Sequence, residues 1–463
     1  MTATIAATVA AQKAQVAARR LRFGLAERRQ ALADLRRAII AHEADLQAAV
    51  AQDMGKHPAE FTLLEIVPTL AEITHARRAL PGWMRARRQA GGLAGLGTVA
   101  RLRPETKGAA LIIAPWNYPV SLALGPLVSA LAAGCSAVLK PSELTPATSA
   151  VLARLVASAF PPDLVTVIEG GKEVAEELLA QPFDHIFFTG SPEVGRIVMA
   201  AAARSLASVT LELGGKSPAI VGPGADLTRA ARWIAFGKFS NAGQTCIAPD
   251  HVFVADSVAE AFGTELRRAI AGMYPKGLGS PDLAQIVSPR HAARLTGHLA
   301  EAQAQGARLV LGGASEARRI EPTLIEALAP DCALDREEIF GPILPIIRYG
   351  ALDAVIGRIN ARPKPLALYV FDTDRSRIDR IIAETSSGSV GVNLTLLQFS
   401  HAGLPFGGVN SSGIGAAHGH WGFRAFSHEK AVLENRFSPL SLLFPPYGRR
   451  ARRMIGLVRR FLT

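Results

Sequence analysis

The segment "NAGQTCIAPD", residues 241–250, places Cys246 between a Gly-Gln-Thr turn and an Ile-Ala-Pro-Asp segment. A thiolate at such a place is a candidate nucleophile, although a free cysteine among apolar neighbours is more often a small buried hydrophobe. The other cysteines, Cys135 and Cys332, lie far away in the sequence. Three widely spaced cysteines form no disulfide framework, so they indicate a reducing compartment.

Two further residues carry groups that could act together with a thiol. Glu212 in "LELGGKSP" ends a predicted strand, and the two glycines after it leave space around its carboxylate; the alternative is a solvated loop charge. Asn117 in "IIAPWNYPV" lies between two prolines and two aromatic residues. An amide held there could donate to a developing oxyanion, and the alternative is an asparagine that forms a turn.

A nucleotide site is suggested by "HIFFTGSPEVGRIVM", in which a buried strand leads through Gly190 and Gly195 into a helix. Amides at the start of that helix could face a pyrophosphate. The spacing is wider than that of the dinucleotide fingerprint, so a plain strand-to-helix turn explains it as well. Lys140 and Glu143 in "AVLKPSE" could bind a ribose diol, or they form a surface pair.

Two other motifs are rejected as sites. Lys216 follows Gly215 as in a phosphate-binding P-loop, but Thr210 stands where that motif needs a glycine and Pro218 where it needs a helix. His418 and His420 in "HGHWG" have no cysteine or carboxylate partner at ligand spacing, so we predict no metal site.

The elements that must position these residues form an α/β protein. Residues 8–90 have helical spacing, and from residue 109 short β-rich runs alternate with helices, which indicates a parallel sheet covered on both faces. A second series of this kind begins after Gly215. Ligands bind at the carboxyl ends of strands in such folds, so we expect the three candidate groups to meet there. The segment 91–108 fits neither series and predicts a projecting strand pair.

Length and charge narrow the class of protein. A chain of 463 residues predicts two or three domains. Its net charge of +12 comes without the interleaved aromatic residues that stack on bases, so nucleic-acid binding is not expected. The start reads as an amphipathic helix and not as a signal peptide, and no apolar run is long enough to span a membrane. The ending "YGRRARRMIGLVRRFLT" could lie on an anionic membrane, on a partner subunit or in solvent.

Seven motifs, taken together and in order, resemble those of the aldehyde dehydrogenase superfamily over nearly the whole chain: "PWNYP", "KPSE", "FTGSPEVG", "LELGGKSP", "GQTCIAPD", "EEIFGPILPI" and "LPFGGVNSSGIGAAHG". The cysteine context and the ending resemble the class 3 branch, which includes fatty, benzaldehyde and coniferyl aldehyde dehydrogenases, with the coniferyl enzymes as the nearest match. One departure is Asn410, which stands where the branch usually has glycine; we expect an altered loop near the substrate entrance.

The resemblance implies NAD(P)-dependent oxidation of an aldehyde, aromatic, allylic or aliphatic of medium to long chain, to the carboxylic acid. Cys246 would be the nucleophile, Asn117 and the Cys246 backbone N–H would hold the oxyanion, and Glu212 would activate water to cleave a thioester. Glu212 argues against the alternative of a coenzyme A-acylating enzyme, and the complete catalytic set argues against a non-catalytic membrane relative. Candidate substrate-lining residues, which core packing explains equally well, are Tyr118, Leu396, Leu397, Phe399 and Phe406.

The resemblance also implies cofactor positions. Glu143 would repel a 2′-phosphate and so favour NAD, with NADP also accepted. The turn near the pyrophosphate would consist of Gly190, Ser191, Pro192, Glu193, Val194 and Gly195. Lys140 and Glu143 would bind the adenosine ribose. Glu338 would bind the nicotinamide ribose, and Phe340 would border the nicotinamide ring.

The implied fold has a Rossmann-like NAD(P)-binding domain (residues 1–87 and 107–211), a catalytic domain (212–405) and a small β oligomerisation arm (88–106 and 406–440). A basic tail (441–463) follows. We expect a homodimer in the cytoplasm, with the tail as the candidate for a peripheral membrane contact.

Overall fold

The computed structural model describes residues 4–92 and 95–462. The first three residues of the predicted opening helix, residues 93 and 94 of the predicted arm and the last residue of the tail lie outside the described residues.

The opening of the chain is helical, as predicted. In the helix over Leu25–Ala41, residues 31, 32, 35, 38 and 39 are buried, a spacing of three and four that gives one apolar face. A π-helical turn over Thr62–Ile66 precedes the last helix of this layer. The helices are α1 (Ile5–Ala14), α2 (Val16–Arg22), α3 (Leu25–Ala41), α4 (Glu43–Met54), α5 (Pro58–Phe61) and α6 (Val67–Trp83).

The first large sheet has the strand order β17-β7-β6-β3-β4-β5, and all neighbours are parallel except the short edge strand β17. The order reverses between β3 and β6, which makes that edge a topological switch point. Its elements are β3 (Ala109–Ile113), α7 (Ser121–Ala133), β4 (Ser136–Lys140), α8 (Pro146–Ala159), β5 (Val165–Val167), α9 (Lys172–Leu179), β6 (His185–Thr189), α10 (Pro192–Ser205), β7 (Ser208–Glu212) and β17 (Gly413–Ile414).

The second large sheet has the order β10-β13-β14-β9-β8-β15-β16. It confirms the second α/β series, with one correction: β10, from "ARLVLGG", is antiparallel to β13. Only a small hairpin separates these two strands, and a parallel pair needs a longer crossover. The elements are β8 (Pro218–Val221), α11 (Leu227–Phe239), β9 (His251–Ala255), α12 (Ala259–Met273), α13 (Pro289–Ala304), β10 (Arg308–Leu311), β11 (Ser315–Glu316), β12 (Arg319–Ile320), β13 (Thr323–Glu326), α14 (Ala333–Arg336), β14 (Ile343–Tyr349), α15 (Leu352–Asn360), β15 (Ala367–Phe371), α16 (Arg375–Glu384) and β16 (Ser389–Val392).

A third, small sheet contains the segment that fitted neither series. The described part of 91–108 holds one strand and not the predicted pair: β2 (Thr98–Thr106) lies between β1 (Arg87–Gln89) and β18 (Ser427–Asn435). The local pattern could not reveal that β2 pairs over nine positions with a strand more than 300 residues away. The domain boundaries and the oligomerisation role of this sheet stay predictions.

The remaining helices are α17 (Leu397–Ser400), α18 (Gly419–Ala425) and α19 (Arg449–Leu462), which is the basic tail. Among the described residues, no helix has both the length and the apolar character needed to cross a bilayer.

Candidate active site

The carboxyl ends of four neighbouring parallel strands bring the predicted residues to one edge of the first sheet. Asn117 follows β3, Lys140 ends β4, Gly190 follows β6 and Glu212 ends β7. The sequence predicted this common edge because parallel strands end on the same side.

Cys246 follows a strained turn. Asn241, Ala242 and Gly243 all have left-handed backbone conformations, with φ of 52°, 51° and 74°, which costs energy for the two residues that carry a Cβ. The Gln244 side chain holds the turn: its Nε2 donates to the Asn241 carbonyl (2.9 Å), and its Oε1 accepts from the Val287 N–H (2.9 Å). The nucleophile candidate therefore lies on a rigid loop.

Asn117 is joined directly to that loop. Its Nδ2 donates to the Gln244 carbonyl (3.0 Å), and Asn241 Nδ2 donates back to the Asn117 carbonyl (2.8 Å). The single bond recorded for Asn117 Nδ2 uses one of its two N–H groups. The amide is thus fixed beside the segment that leads into Cys246.

A buried ion pair contacts the backbone of the Asn117 turn. Lys56 Nζ lies 2.8 Å from Glu65 Oε1, and both side chains are fully buried. Lys56 also donates to the Asn117 carbonyl (3.2 Å), while Glu65 Oε2 accepts from the N–H groups of Val120 (2.9 Å) and Ser121 (3.3 Å). Sequence reasoning missed this pair, because both residues belong to the helical opening layer and carry no motif.

Glu212 is buried at the end of β7, and neither of its carboxylate oxygens has a hydrogen-bond partner among the described residues. Burial raises the pKa of Glu212 well above its usual range. Burial also raises the pKa of the Cys246 thiol, and the charges of Glu338 and Glu212 raise it further, against the opposing effect of the backbone N–H groups of residues 246 and 247. Glu212 and Cys246 line the same small cavity of about 30 Å³.

A larger apolar cavity of about 360 Å³ has Cys246 among its lining residues. Tyr118, Leu396, Leu397 and Phe399 line it as predicted, whereas Phe406 lines the small cavity instead. Sequence reasoning missed the other walls, half of which come from the opening helices: Leu63, Leu64, Val67, Pro68, Ala71, Leu122, Phe236, Thr245, Ile247 and Ser400.

The turn after β6 has features that suit a phosphate. Ser191 caps α10, its Oγ accepting from the Val194 N–H (3.3 Å), and both residues are exposed together with Glu193. Gly195 is buried, and a Cβ there would lie 2.9 Å from the Leu213 side chain, so glycine allows the helix to pack closely on the strand end. An open helix N-terminus at a switch point can accept a pyrophosphate.

Lys140 and Glu143 form an ion pair of 2.9 Å, with the lysine buried and the glutamate exposed. Burial alone would raise the pKa of Glu143, but the hydrogen bond and charge of Lys140 outweigh it and lower that pKa. An ionised carboxylate therefore stands at the same edge as the helix N-terminus.

The loop that carries Glu338 and Phe340 is anchored by Lys216, the residue of the rejected P-loop motif. Lys216 Nζ donates to Asp250 Oδ1 (2.5 Å) and to the Glu337 carbonyl (2.7 Å). Burial raises the pKa of Glu338 to about 8. Phe340 meets the Trp116 ring edge-on, with ring centroids 5.3 Å apart, so this loop reaches the Asn117 turn.

Asn410 has the left-handed conformation expected for a residue that replaces glycine, with φ of 57°. Its Oδ1 accepts from Lys364 Nζ (2.9 Å). It is not among the residues that line the apolar cavity, and the altered loop near the substrate entrance stays a prediction. The loop instead leads into β17, which pairs with the strand of Glu212.

His418 lies 3.2 Å from Glu72 through its Nδ1 and also lines the small cavity. The described residues contain no cluster of three or more histidine, cysteine or acidic side chains able to hold a metal ion.

A family model described as "Aldehyde dehydrogenase family" matches residues 2–432. The 4,4'-diaponeurosporen-aldehyde dehydrogenase of Staphylococcus aureus is 43% identical over 424 residues, covering 91% of this chain and 92% of the relative. A probable coniferyl aldehyde dehydrogenase of Pseudomonas aeruginosa is 42% identical over 432 residues, covering 93% and 91%.

Solved structures of aldehyde dehydrogenases are similar to this chain as well. The substrate-bound AldH of Staphylococcus aureus superposes with a TM-score of 0.93 at 40% identity, covering 99% of this chain and 100% of that one. A Mycobacterium tuberculosis aldehyde dehydrogenase complexed with NAD+ gives a TM-score of 0.85 at 28% identity, covering 94% and 90%.

The buried Lys56–Glu65 pair can be tested by unfolding. Glu65→Ala leaves a buried ammonium without its partner, so we expect a loss of about 3–5 kcal/mol in the free energy of unfolding, measured by guanidinium denaturation. The matched control is the double variant Lys56→Met with Glu65→Leu, which removes both charges and should lose clearly less. A double variant as unstable as the single one would contradict this account.

Proposed function

Because the chain belongs to the aldehyde dehydrogenase family, we propose that Cys246, Glu212 and Asn117 are its catalytic residues and that its substrate is a hydrophobic aldehyde. The chain is an NAD(P)-dependent oxidoreductase that acts on aldehydes. One observation carries the assignment of residues: Cys246 lies where the apolar cavity and the small cavity of Glu212 meet. The thiol can thus reach an aldehyde on one side and a water on the other.

The first step is attack of the Cys246 thiolate on the aldehyde carbon. Burial raises the pKa of the thiol, so its proton must be lost to solvent as the bond between sulfur and carbon forms. The oxygen of the resulting adduct becomes an oxyanion. The second N–H of Asn117 and the backbone N–H of Cys246 are its donors.

The bound NAD(P) supplies the acceptor for the hydride that leaves this adduct. A thioester on Cys246 remains, and water must cleave it. Glu212 takes a proton from that water while the C–S bond breaks and Cys246 leaves as a thiolate.

The cofactor residues are assigned to the open edge of the first sheet. The α10 N-terminus with Gly190, Ser191, Pro192, Glu193, Val194 and Gly195 would hold the pyrophosphate, and Glu338 and Phe340 would border the nicotinamide end. Lys140 and Glu143 receive the adenosine ribose. The ionised, exposed Glu143 would repel a 2′-phosphate, which supports a preference for NAD over NADP.

The substrate class follows from the cavity walls. Leucine, valine, phenylalanine and tyrosine side chains dominate them, and no charged residue takes part. Such a site binds by burial of apolar surface, so we propose aromatic, allylic or medium to long aliphatic aldehydes. Coniferyl aldehyde belongs to this class, and a relative from Pseudomonas aeruginosa is named for it.

Two alternatives have less support. A coenzyme A-acylating enzyme has no need of a buried carboxylate that shares a cavity with the nucleophile, as Glu212 does here. A non-catalytic membrane relative would have no need of the joined Asn117 and Cys246 loops.

We propose a homodimer that uses the small β1-β2-β18 sheet. Leu433 on β18 is 68% exposed, and Phe437 just after it is 76% exposed. Apolar side chains this exposed are typical of an interface. Sedimentation of the full chain at the mass of one copy would contradict the dimer.

We also propose that α19 lies on an anionic membrane surface of the cytoplasm. Met454, Ile455 and Val458 share one face at helical spacing while the six arginines lie on the remaining surface, and Ile455 and Val458 are exposed. Three free cysteines fit that reducing compartment.

Glu212→Gln should accumulate the thioester, because glutamine cannot take a proton from water. Mass spectrometry of the intact protein after addition of aldehyde and NAD should show the acyl adduct. In the unsubstituted protein, thioester decay should accelerate as pH rises through the raised pKa of Glu212, since the ionised form is the base. Cys246→Ala is the matched control. This variant should form no acyl adduct and oxidise no aldehyde, but it should bind NAD as the unsubstituted protein does. Full activity in that control would refute the nucleophile assignment.

A screen of NADH and NADPH formation should rank the aldehydes by apolar surface. We expect kcat/KM for coniferyl, benzyl-type and long aliphatic aldehydes to exceed that for small hydrated aldehydes by about tenfold or more, the effect of two or more buried methylenes. Phe399→Ala should reduce this advantage. Equal kcat/KM across the series would overturn the substrate class.

Deletion of residues 449–463 should abolish co-sedimentation with vesicles that contain anionic lipid, if α19 is the membrane element. The control variant Ile455→Glu with Val458→Glu keeps every arginine but disrupts the apolar face, and it should bind weakly. Equal co-sedimentation of the full and the truncated chains would rule the proposal out.

A further inference from the structure

Ser121 shares the small cavity with Glu212 and Cys246. The Ser121 hydroxyl and both carboxylate oxygens of Glu212 are buried, and none of them has a hydrogen-bond partner among the described residues. Most of the remaining wall is apolar, with Leu122, Pro126 and Phe187 among its members. Three unpaired oxygens therefore belong to two residues that face one small space.

Unpaired buried oxygens are rare because a polar atom that loses its water without gaining a hydrogen-bond partner destabilises the fold. A bound water removes that cost where the site is polar and has room. The cavity of about 30 Å³ exceeds the ~10–15 Å³ that one water needs. The two residues can supply such a water with acceptors on both sides.

The Ser121 hydroxyl has no structural task that would explain it. Serine at the start of a helix usually caps it, but here Glu65 Oε2 accepts from the N–H groups of Val120 and Ser121. The carbonyl four residues earlier, that of Asn117, already accepts from Lys56 and Asn241. The Ser121 hydroxyl is therefore available to bind a molecule in the small cavity.

We propose that Ser121 is a positioning residue for the water that cleaves the thioester, an inference that rests on the proposed function. The water donates one proton toward Glu212 and hydrogen-bonds through the other to Ser121 Oγ. Its oxygen attacks the thioester carbonyl. The first proton passes to Glu212, the C–S bond breaks with its electron pair on Cys246, and the carboxylic acid is released. Ser121 keeps its own proton, and it orients a lone pair of the water oxygen toward the thioester carbonyl carbon.

The test separates acylation from thioester cleavage. Ser121→Ala should leave the single-turnover burst of NADH unchanged. It should lengthen the lifetime of the thioester by about tenfold, the effect of one lost hydrogen bond. The thioester lifetime is measured by quenching the reaction at intervals and recording mass spectra of the intact protein. Added hydroxylamine needs no positioned water, so the share of hydroxamate among the products should rise. A merely structural role for Ser121 would not change this share.

The matched control is Ser136→Ala, because the Ser136 hydroxyl is equally buried and unpaired but lies at the amino end of β4, at the other edge of the sheet. It should keep the thioester lifetime and product ratio. Should Ser121→Ala fold poorly, Ser121→Cys, with its weak acceptor, should give an intermediate lifetime. In a Glu212→Gln background, Ser121→Ala should add no further slowing.

The outcomes are distinct. A thioester lifetime in Ser121→Ala equal to that of the unsubstituted protein would overturn the proposal for Ser121 and leave the proposed function intact. The absence of any acyl adduct in both Glu212→Gln and the unsubstituted protein would overturn the proposed function itself.

Discussion

Reciprocal amide hydrogen bonds between the Asn117 turn and the Cys246 loop hold the site together. Asn117 follows a strand of the first sheet, whereas Cys246 belongs to the second α/β series, so no local pattern could bring them into register. Asn117 donates to the Gln244 carbonyl and receives a bond from Asn241. The left-handed residues 241–243 lie on one side of this junction, and the buried Lys56–Glu65 pair contacts the Asn117 carbonyl on the other.

Burial has opposite consequences for the two groups proposed as base and nucleophile. It raises the pKa of the Glu212 carboxylate, which then binds a proton more readily, but it also makes the Cys246 thiol harder to ionise. Among the described residues, no lysine or arginine lines either cavity, so neither wall supplies a fixed cation that would favour the thiolate. The thiolate is therefore expected to form only in concert with substrate, which limits side reactions of an exposed sulfur.

The sequence predicts those features of the fold and site that depend on strand ends. Glu212, Asn117 and the Gly190 turn lie where parallel strands must end, so their common edge follows from alternation alone. Lys56, Glu65, Ser121 and the cavity wall of the opening helices were not predictable, because helical periodicity shows which face is buried and not what it is buried against. The distant pairing of β2 was missed because no local pattern identifies a partner strand, and the antiparallel β10 was missed because the small hairpin before β13 was not recognised.

Half of the other walls of the apolar cavity come from the opening helices and not from the seven motifs, and this indicates where the proposed substrate choice arises. Pro68 has no N–H to continue the α-helical pattern, and the preceding turn has a π-type bond from the Val67 N–H to the Thr62 carbonyl. That wider turn directs Glu65 toward the Asn117 support while Leu63, Leu64 and Val67 line the aldehyde cavity. Because these walls come from a segment outside every motif, we expect substitutions in this one turn to change the proposed choice of aldehyde without changing the proposed chemistry of Cys246 and Glu212.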